Sequence, residues 1–240
     1  MTKLLSTEQM AEFANSGCLF FEGLIDEDIN KEFLNDIGHT DIDDVDNIQH
    51  YFQNIKSSSS IPRIPAGTVL KDAYPLNSPL EKIFKNEIVS GAINSLVGSK
   101  TVVDHQFLHL TFPSKYYAKA NQRQMSQVNH QDSTIDPRTT FDIQLFYFPT
   151  AVTKEMGGTR YIPGTHLRIV NEMGIAKYQN IKGQKNIICK AGTIGIFHNG
   201  LWHGAGVNFS NDIRYMFKVR LQPTETVSYT HLTLPTMELV

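Results

Sequence analysis

The chain has 240 residues, 40% of them hydrophobic and 19% charged, with a formal net charge of −2. That size suits one domain with or without appendages and is enough to bury a sizeable core, and the near-neutral balance without a Lys/Arg cluster leaves no electrostatic footprint for nucleic acid. No apolar run approaches the roughly 18 residues of a membrane span, Met1 to Glu8 lacks the apolar core of a signal peptide, and Cys18 and Cys189 read as buried free thiols, so a reducing, cytoplasmic setting is expected.

Ser6-Thr7-Glu8-Gln9 has the S-x-x-Q form of a capping box. Met10, Phe13 and Ala14 follow as a short apolar stripe, and Gly17 suits the helix stop. Cys18 to Phe21 reads as a short strand. A second helix starts near Asp26, with Ile29, Phe33 and Ile37 facing the core. Residues 39–77 read as loop with short structure at most. Their Asp-rich run (Asp41, Asp43, Asp44, Asp46) reads as a solvated face, and four serines, Ser57 to Ser60, follow it. Ser78-Pro79 forms an N-cap and first helical position, and the helix it opens carries Leu80, Ile83, Phe84 and Ile88 toward Gly98.

After Gly98 helical periods give way to strands. Thr101 to Phe112 is the first, a strand around His130 the second, and Phe141 to Phe148 the strongest. Thr159 to Ile162, Ile187 to Cys189, Gly192 to Phe197, Trp202 to Val207 and Ile213 to Leu221 complete the set, punctuated by turns at Gly157-Gly158 and Pro163-Gly164. About eight short strands with this punctuation imply an antiparallel barrel or double-sheet jelly roll. Helices first and strands after predict an α+β protein with a mainly β core, the N-terminal helices packed on one sheet.

The last residues read differently. Thr226 to Thr236 resembles the translation of a transposase-end adapter used in sequencing libraries. On that reading residues 1–224 are a single domain, and residues 225–240 are a non-native, disordered tail in which His231 has no function.

The chemistry-bearing tripeptide is His130-Gln131-Asp132. On a strand, residues i and i+2 share a face, so imidazole and carboxylate would project together as two-thirds of a 2-His-1-carboxylate metal site. The third ligand must come from elsewhere, and His198 and His203 both lie in the strand-turn-strand Gly192 to Gly206. Asn199-Gly200 between them is a hairpin turn signal. Arg214 follows His203 by eleven positions, and Lys218 and Arg220 share its strand parity. His166 reads as a structural turn histidine, His105 and His109 as sheet-surface histidines, and His39 and His50 as solvated.

These residues carry a resemblance. Leu5 to Gln9 with Phe13, Gly17-Cys18-Leu19 and Gly23-Leu24 is similar to the N-terminal signature of the phytanoyl-CoA dioxygenase family. His130-Gln131-Asp132 matches its H-Q-D, and Gly157 to His166 resembles its N-G-x-x-x-x-x-P-G-[ST]-H segment, with Gly157 where Asn is usual. Trp202-His203, Gly206-Val207-Asn208 and Arg214 resemble its ending. The resemblance implies a cupin-like double-stranded β-helix and an Fe(II)- and 2-oxoglutarate-dependent dioxygenase that hydroxylates a small-molecule substrate with release of succinate and CO2. His130, Asp132 and His203 would be the iron ligands, leaving three positions for 2-oxoglutarate and O2. Arg214 would hold the distal carboxylate of 2-oxoglutarate, a bidentate task for which Lys is no substitute. Tyr147, on one strand face with Ile143 and Leu145, would neighbour the cosubstrate. Asp132 argues against the halogenase variants, in which a small residue at that position admits halide. The rival is a non-catalytic jelly-roll binding module that retains the metal motif; a zinc hydrolase would want a general-base carboxylate that is not evident. Lys115, Lys119 and Arg123 read as an ordinary solvated loop.

Overall fold

The computed structural model describes residues 3–40, 45, 47, 48, 51, 55, 61–119, 123–132, 141–168, 170, 172–178 and 180–224. Asp41, Asp43, Asp44 and Asp46, His50, Ser57 to Ser60 and the tail 225–240 lie outside the described residues.

Local signals shape the N-terminal part. Helix α1 (Thr7–Ser16) opens with the reciprocal capping box, Ser6 Oγ accepting from Gln9 N at 3.2 Å and Gln9 Oε1 from Ser6 N at 2.9 Å. It closes at Gly17, whose φ of 77° is the left-handed conformation that glycine adopts without steric cost. Helix α2 (Glu27–Asp36) starts after Asp26 and buries Phe33 and Asn30. The stretch after Ser78 forms two helices instead of the expected one, α3 (Pro79–Lys85) and α4 (Glu87–Leu96). Asn86 leaves helical geometry between them, and its side chain accepts from Ile88 N and Val89 N, capping the second helix at the expense of continuing the first.

The rest is mainly strand. The larger antiparallel sheet has the order β1 (Cys18–Phe21), β8 (Thr193–His198), β5 (Ile143–Phe148), β10 (Arg214–Pro223), β3 (Thr101–Thr111), β2 (Thr68–Val69). A smaller one has the order β4 (Gln127–His130), β9 (His203–Ala205), β6 (Thr159–Tyr161), β7 (Lys185–Asn186). The expected strand at Ile187 to Cys189 is only a single bridge, Cys189 to Val152, with β7 displaced to Lys185–Asn186. Short helices α5 (Ser114–Lys119) and α6 (Glu172–Ile175) occupy the connections.

Two apolar layers result. Ile143, Leu145 and Tyr147 on β5 join Phe217, Tyr215 and the helices in one core, where Phe33 meets Tyr147 edge-on at 5.3 Å. Phe146, Phe148 and Phe197 face the other way and pack with Tyr161, Val152 and Ile187 between the sheets. Each buried ring stabilises the fold by about 1.5–3 kcal/mol, so β5, buried on both faces, is the common wall of both layers. Both cysteines are buried and free. Among the described residues no helix is long and apolar enough to cross a membrane.

Candidate metal centre

The smaller sheet brings two histidines together. His130 ends β4 directly opposite His203, the first residue of β9, with ring centroids 4.4 Å apart. Asp132 reaches them by a different route from strand alternation, because β4 stops at His130. Gln131 is buried and its amide donates to Arg168 O at 2.9 Å and Gly200 O at 2.8 Å, and the chain bends at Asp132. Asp132 Oδ1 lies 3.1 Å from His130 Nε2 and 3.6 Å from His203 Nε2. One ligand atom from each of the three residues falls within 4.8 Å of the others.

The tautomers suit a metal ion. His130 Nδ1–H donates to Val128 O and His203 Nδ1–H to Leu201 O, each at 2.9 Å, which turns both Nε2 atoms toward Asp132. Burial disfavours a charge on His130, but its bonds to Asp132 and Val128 O outweigh it and raise its pKa, and a metal ion would take the place of the proton on Nε2. Two neutral imidazoles and a carboxylate fit a divalent ion that keeps open positions. Burial disfavours the charge on Asp132, but the hydrogen bond with His130 and the influence of His203 and Lys218 outweigh it and hold the carboxyl well below the usual carboxylate range. Burial pushes His203 down to about 4.

The second oxygen of Asp132 is also held. Oδ2 accepts from Gln144 Nε2 at 2.6 Å and pairs with Lys218 Nζ. Gln144 is in turn fixed by Asn199 Oδ1 at 2.8 Å. In the sequence Lys218 is marked only by its parity with Arg214, and nothing singles out Gln144; strand alternation from Arg214 through Met216 turns Lys218 inward.

Arg214 lines the same cavity of about 300 Å³ as the triad, together with Lys218 and His109. Its guanidinium donates to Met156 O at 2.8 Å, to Gly157 O and to Thr111 Oγ1 at 2.9 Å. No carboxylate among the described residues pairs with it. Burial lowers its pKa to about 10, so it is a cation at neutral pH. Gly157 shapes this corner: at φ +58° an added Cβ would stand 2.1 Å from Val207 O. The Asn usual in the family could adopt the φ but would have no room for its Cβ, which accounts for the departure.

Other expected residues lie elsewhere. Tyr147 does not face the cavity; its hydroxyl donates to Asn30 Oδ1 at 2.7 Å in the layer under the helices. Its strand neighbours Gln144 and Phe146 present the opposite face to the site. His198 is set apart from the triad, its ring 5.0 Å from His166 and 5.3 Å from Phe141, and Asn199-Gly200 joins strands of different sheets instead of closing a hairpin. His166 is structural, its Nε2 bonded to Ala14 O at 3.1 Å. His105 pairs with Asp104 at 2.5 Å. His109, expected on a sheet surface, lines the cavity, and its crowded surroundings and the nearby Lys218 push it down to about 4. Lys115 bonds Asn211 at the surface, and the side chain of Lys119 lies outside the described residues.

Comparison with known proteins bears on the family and the fold. A family model described as phytanoyl-CoA dioxygenase (PhyH) matches residues 13–216. No curated protein gives a sequence match. Among solved structures, the chain resembles SnoK, a non-haem alpha-ketoglutarate-dependent carbocyclase from nogalamycin biosynthesis, at 17% identity and a TM-score of 0.62, covering 91% of this chain and 84% of that one. It resembles HygX from Streptomyces hygroscopicus, solved with nickel and 2-oxoglutarate, at 11% identity and a TM-score of 0.64, covering 92% and 88%. AviO1 from Streptomyces viridochromogenes Tue57 is similar at 14% identity and a TM-score of 0.61, over 94% and 98%. At these identities the likeness is one of fold.

Proposed function

The chain belongs to the phytanoyl-CoA dioxygenase family, and from that premise we propose how its residues divide the work of a non-haem Fe(II)- and 2-oxoglutarate-dependent dioxygenase acting on a small substrate. Residues 1–224 are read as one catalytic domain of double-stranded β-helix type, with 225–240 outside it. The observation that carries the reading is the convergence of His130 Nε2, Asp132 Oδ1 and His203 Nε2, with both Nδ1 atoms tied to backbone carbonyls.

His130, Asp132 and His203 would hold Fe(II). Bound there with 2-oxoglutarate and O2, the iron supplies the oxidising chemistry of C–H hydroxylation, with release of succinate and CO2. The protein supplies ligation, orientation and exclusion of water. Val128 O and Leu201 O keep the imidazoles in the ligating tautomer. Arg214, the cation of the cavity without a carboxylate partner among the described residues, would take the distal carboxylate of 2-oxoglutarate through its planar fork. The carbonyls of Met156 and Gly157 aim that fork, so the cosubstrate would meet a guanidinium already oriented. His109 and Phe146 line the same cavity and would face a substrate held beside the metal.

Protein loaded with Fe(II) in air is expected to turn 2-oxoglutarate into succinate slowly even without substrate. If both ligands bind but succinate stays at the level of the Asp132→Ala protein, a non-catalytic binding module replaces this reading.

A further inference from the structure

We propose that Lys218 sets the charge of the metal centre, weakening the hold on a divalent cation and strengthening the hold on the dianionic cosubstrate. The inference rests on the reading that a metal and 2-oxoglutarate share this cavity. It concerns a positioning and charge-balancing residue that acts through Asp132.

The two oxygens of Asp132 have different neighbours. Oδ1 faces the imidazoles, 3.1 and 3.6 Å from their Nε2 atoms. Oδ2 is occupied by Lys218 Nζ and by Gln144 Nε2. The carboxylate therefore offers a metal one oxygen, not two. Lys218 is only 8% exposed, and its cross-strand neighbours are Phe107 on β3 and Phe146 on β5. Among the described residues its ammonium has one anion in reach, Asp132.

The charges then sum simply. Two neutral imidazoles, one carboxylate and one ammonium give a ligand set of zero net charge. A divalent cation entering beside Oδ1 meets an ammonium a few ångströms away, and in a partly buried site two such charges repel by more than the free energy of a tenfold change in affinity. With a divalent ion and the Arg214 guanidinium the cavity carries three positive charges, and a cosubstrate with two carboxylates offsets two of them, one at the metal and one at Arg214. Metal and cosubstrate, being of opposite charge, favour each other by the same factor in both directions whatever stands at position 218, so the mark of Lys218 is its opposite effect on the two ligands taken separately.

The test uses the full-length, metal-stripped protein under anaerobic conditions, titrated calorimetrically with Co(II) with and without saturating 2-oxoglutarate. Wild-type protein is expected to bind Co(II) at least about tenfold more tightly with 2-oxoglutarate than without it. Lys218→Met, which keeps the stem between the two aromatic neighbours and removes the charge, is expected to bind Co(II) alone about tenfold or more tighter than wild type and to bind 2-oxoglutarate more weakly once Co(II) is in place. Lys218→Arg restores the wild-type pattern. Simple loss of packing would lower Co(II) affinity, so the predicted rise is specific to charge. A folded Lys218→Met protein with unchanged or weaker Co(II) binding overturns the proposal. Should wild-type protein bind no Co(II), or no 2-oxoglutarate once Co(II) is bound, the functional reading itself falls, and this inference with it.

Discussion

His130 and His203 stand opposite each other across the β4–β9 pair, and each fixes its tautomer by donating Nδ1–H to the carbonyl two residues before it. The metal centre is thus held by backbone at two of its three corners, while the third, Asp132, is held by side chains.

Asp132→Ala is expected to abolish tight Fe(II) or Co(II) binding and turnover, since it removes the anionic member of the triad. It also leaves Lys218 buried without its partner, which costs on the order of a few kcal/mol. Adding Lys218→Met to that variant should recover much of the stability and none of the metal binding. Calorimetric metal titration and thermal melting check both parts; wild-type metal affinity in Asp132→Ala would refute the site.

The two candidate histidines separate cleanly by experiment. His203→Ala is expected to lose metal binding, whereas His198→Gln should keep metal affinity within about twofold, because its ring packs on His166 and Phe141. Loss of metal in His198→Gln would reverse the assignment.

His198 also makes a prediction about pH. Burial, followed by the neighbouring His166, pushes it down from 6.5 to about 4. Above pH 6.5 neither the folded nor the unfolded state binds its proton, and the group has no effect on stability. Between pH 6.5 and about 4 the unfolded chain takes up a proton that the folded protein refuses, so stability falls, by up to about 3 kcal/mol. His198→Gln should flatten the melting temperature in that window; an unchanged acid slope would show that other groups carry it.

Restoring the family's usual residue at Gly157 is expected to harm this protein. Gly157→Asn places a Cβ against Val207 O, and strain of this kind costs typically 1–3 kcal/mol. Displacing the Gly157 carbonyl also disturbs the aim of Arg214. Thermal melting and the Kd for 2-oxoglutarate in the presence of Co(II) should both worsen, and an Asn variant as stable as wild type would contradict the packing argument.

Arg214→Lys should weaken 2-oxoglutarate by tenfold or more while leaving Co(II) binding alone nearly unchanged, because an ammonium cannot form two parallel bonds to a carboxylate. A matching loss in metal affinity would place Arg214 in a different role.

Deleting residues 225–240 is expected to shift the melting temperature by less than the 2–4 °C that corresponds to about 1 kcal/mol in a domain of this size. A larger drop would show that the segment supports the fold.

What the amino-acid sequence determined by itself was local or residue-typed. The Ser6–Gln9 box, the stop at Gly17 and the cap at Ser78 depend on neighbours a few positions away, and each is found where it was read. His130, Asp132, His203 and Arg214 were nameable because their chemistry and spacing resemble a family pattern. Strand faces were less legible. All six residues of β5 are buried, so no polar alternation marks which side of Tyr147 faces the cavity, and only the packing of Phe33 on one face and of Phe197 on the other decides it. The break at Asn86 turned on a competition between continuing a helix and capping one, which residue type alone does not resolve. Strand parity with Arg214 could turn Lys218 inward, but its meeting with Gln144 on Asp132 was beyond sequence reading. Lys218 is 86 positions away and Gln144 is 12, on different strands of the other sheet. Only the packing of one sheet over the other brings an ammonium and an amide to the same carboxylate oxygen, since burial leaves each of them few other partners.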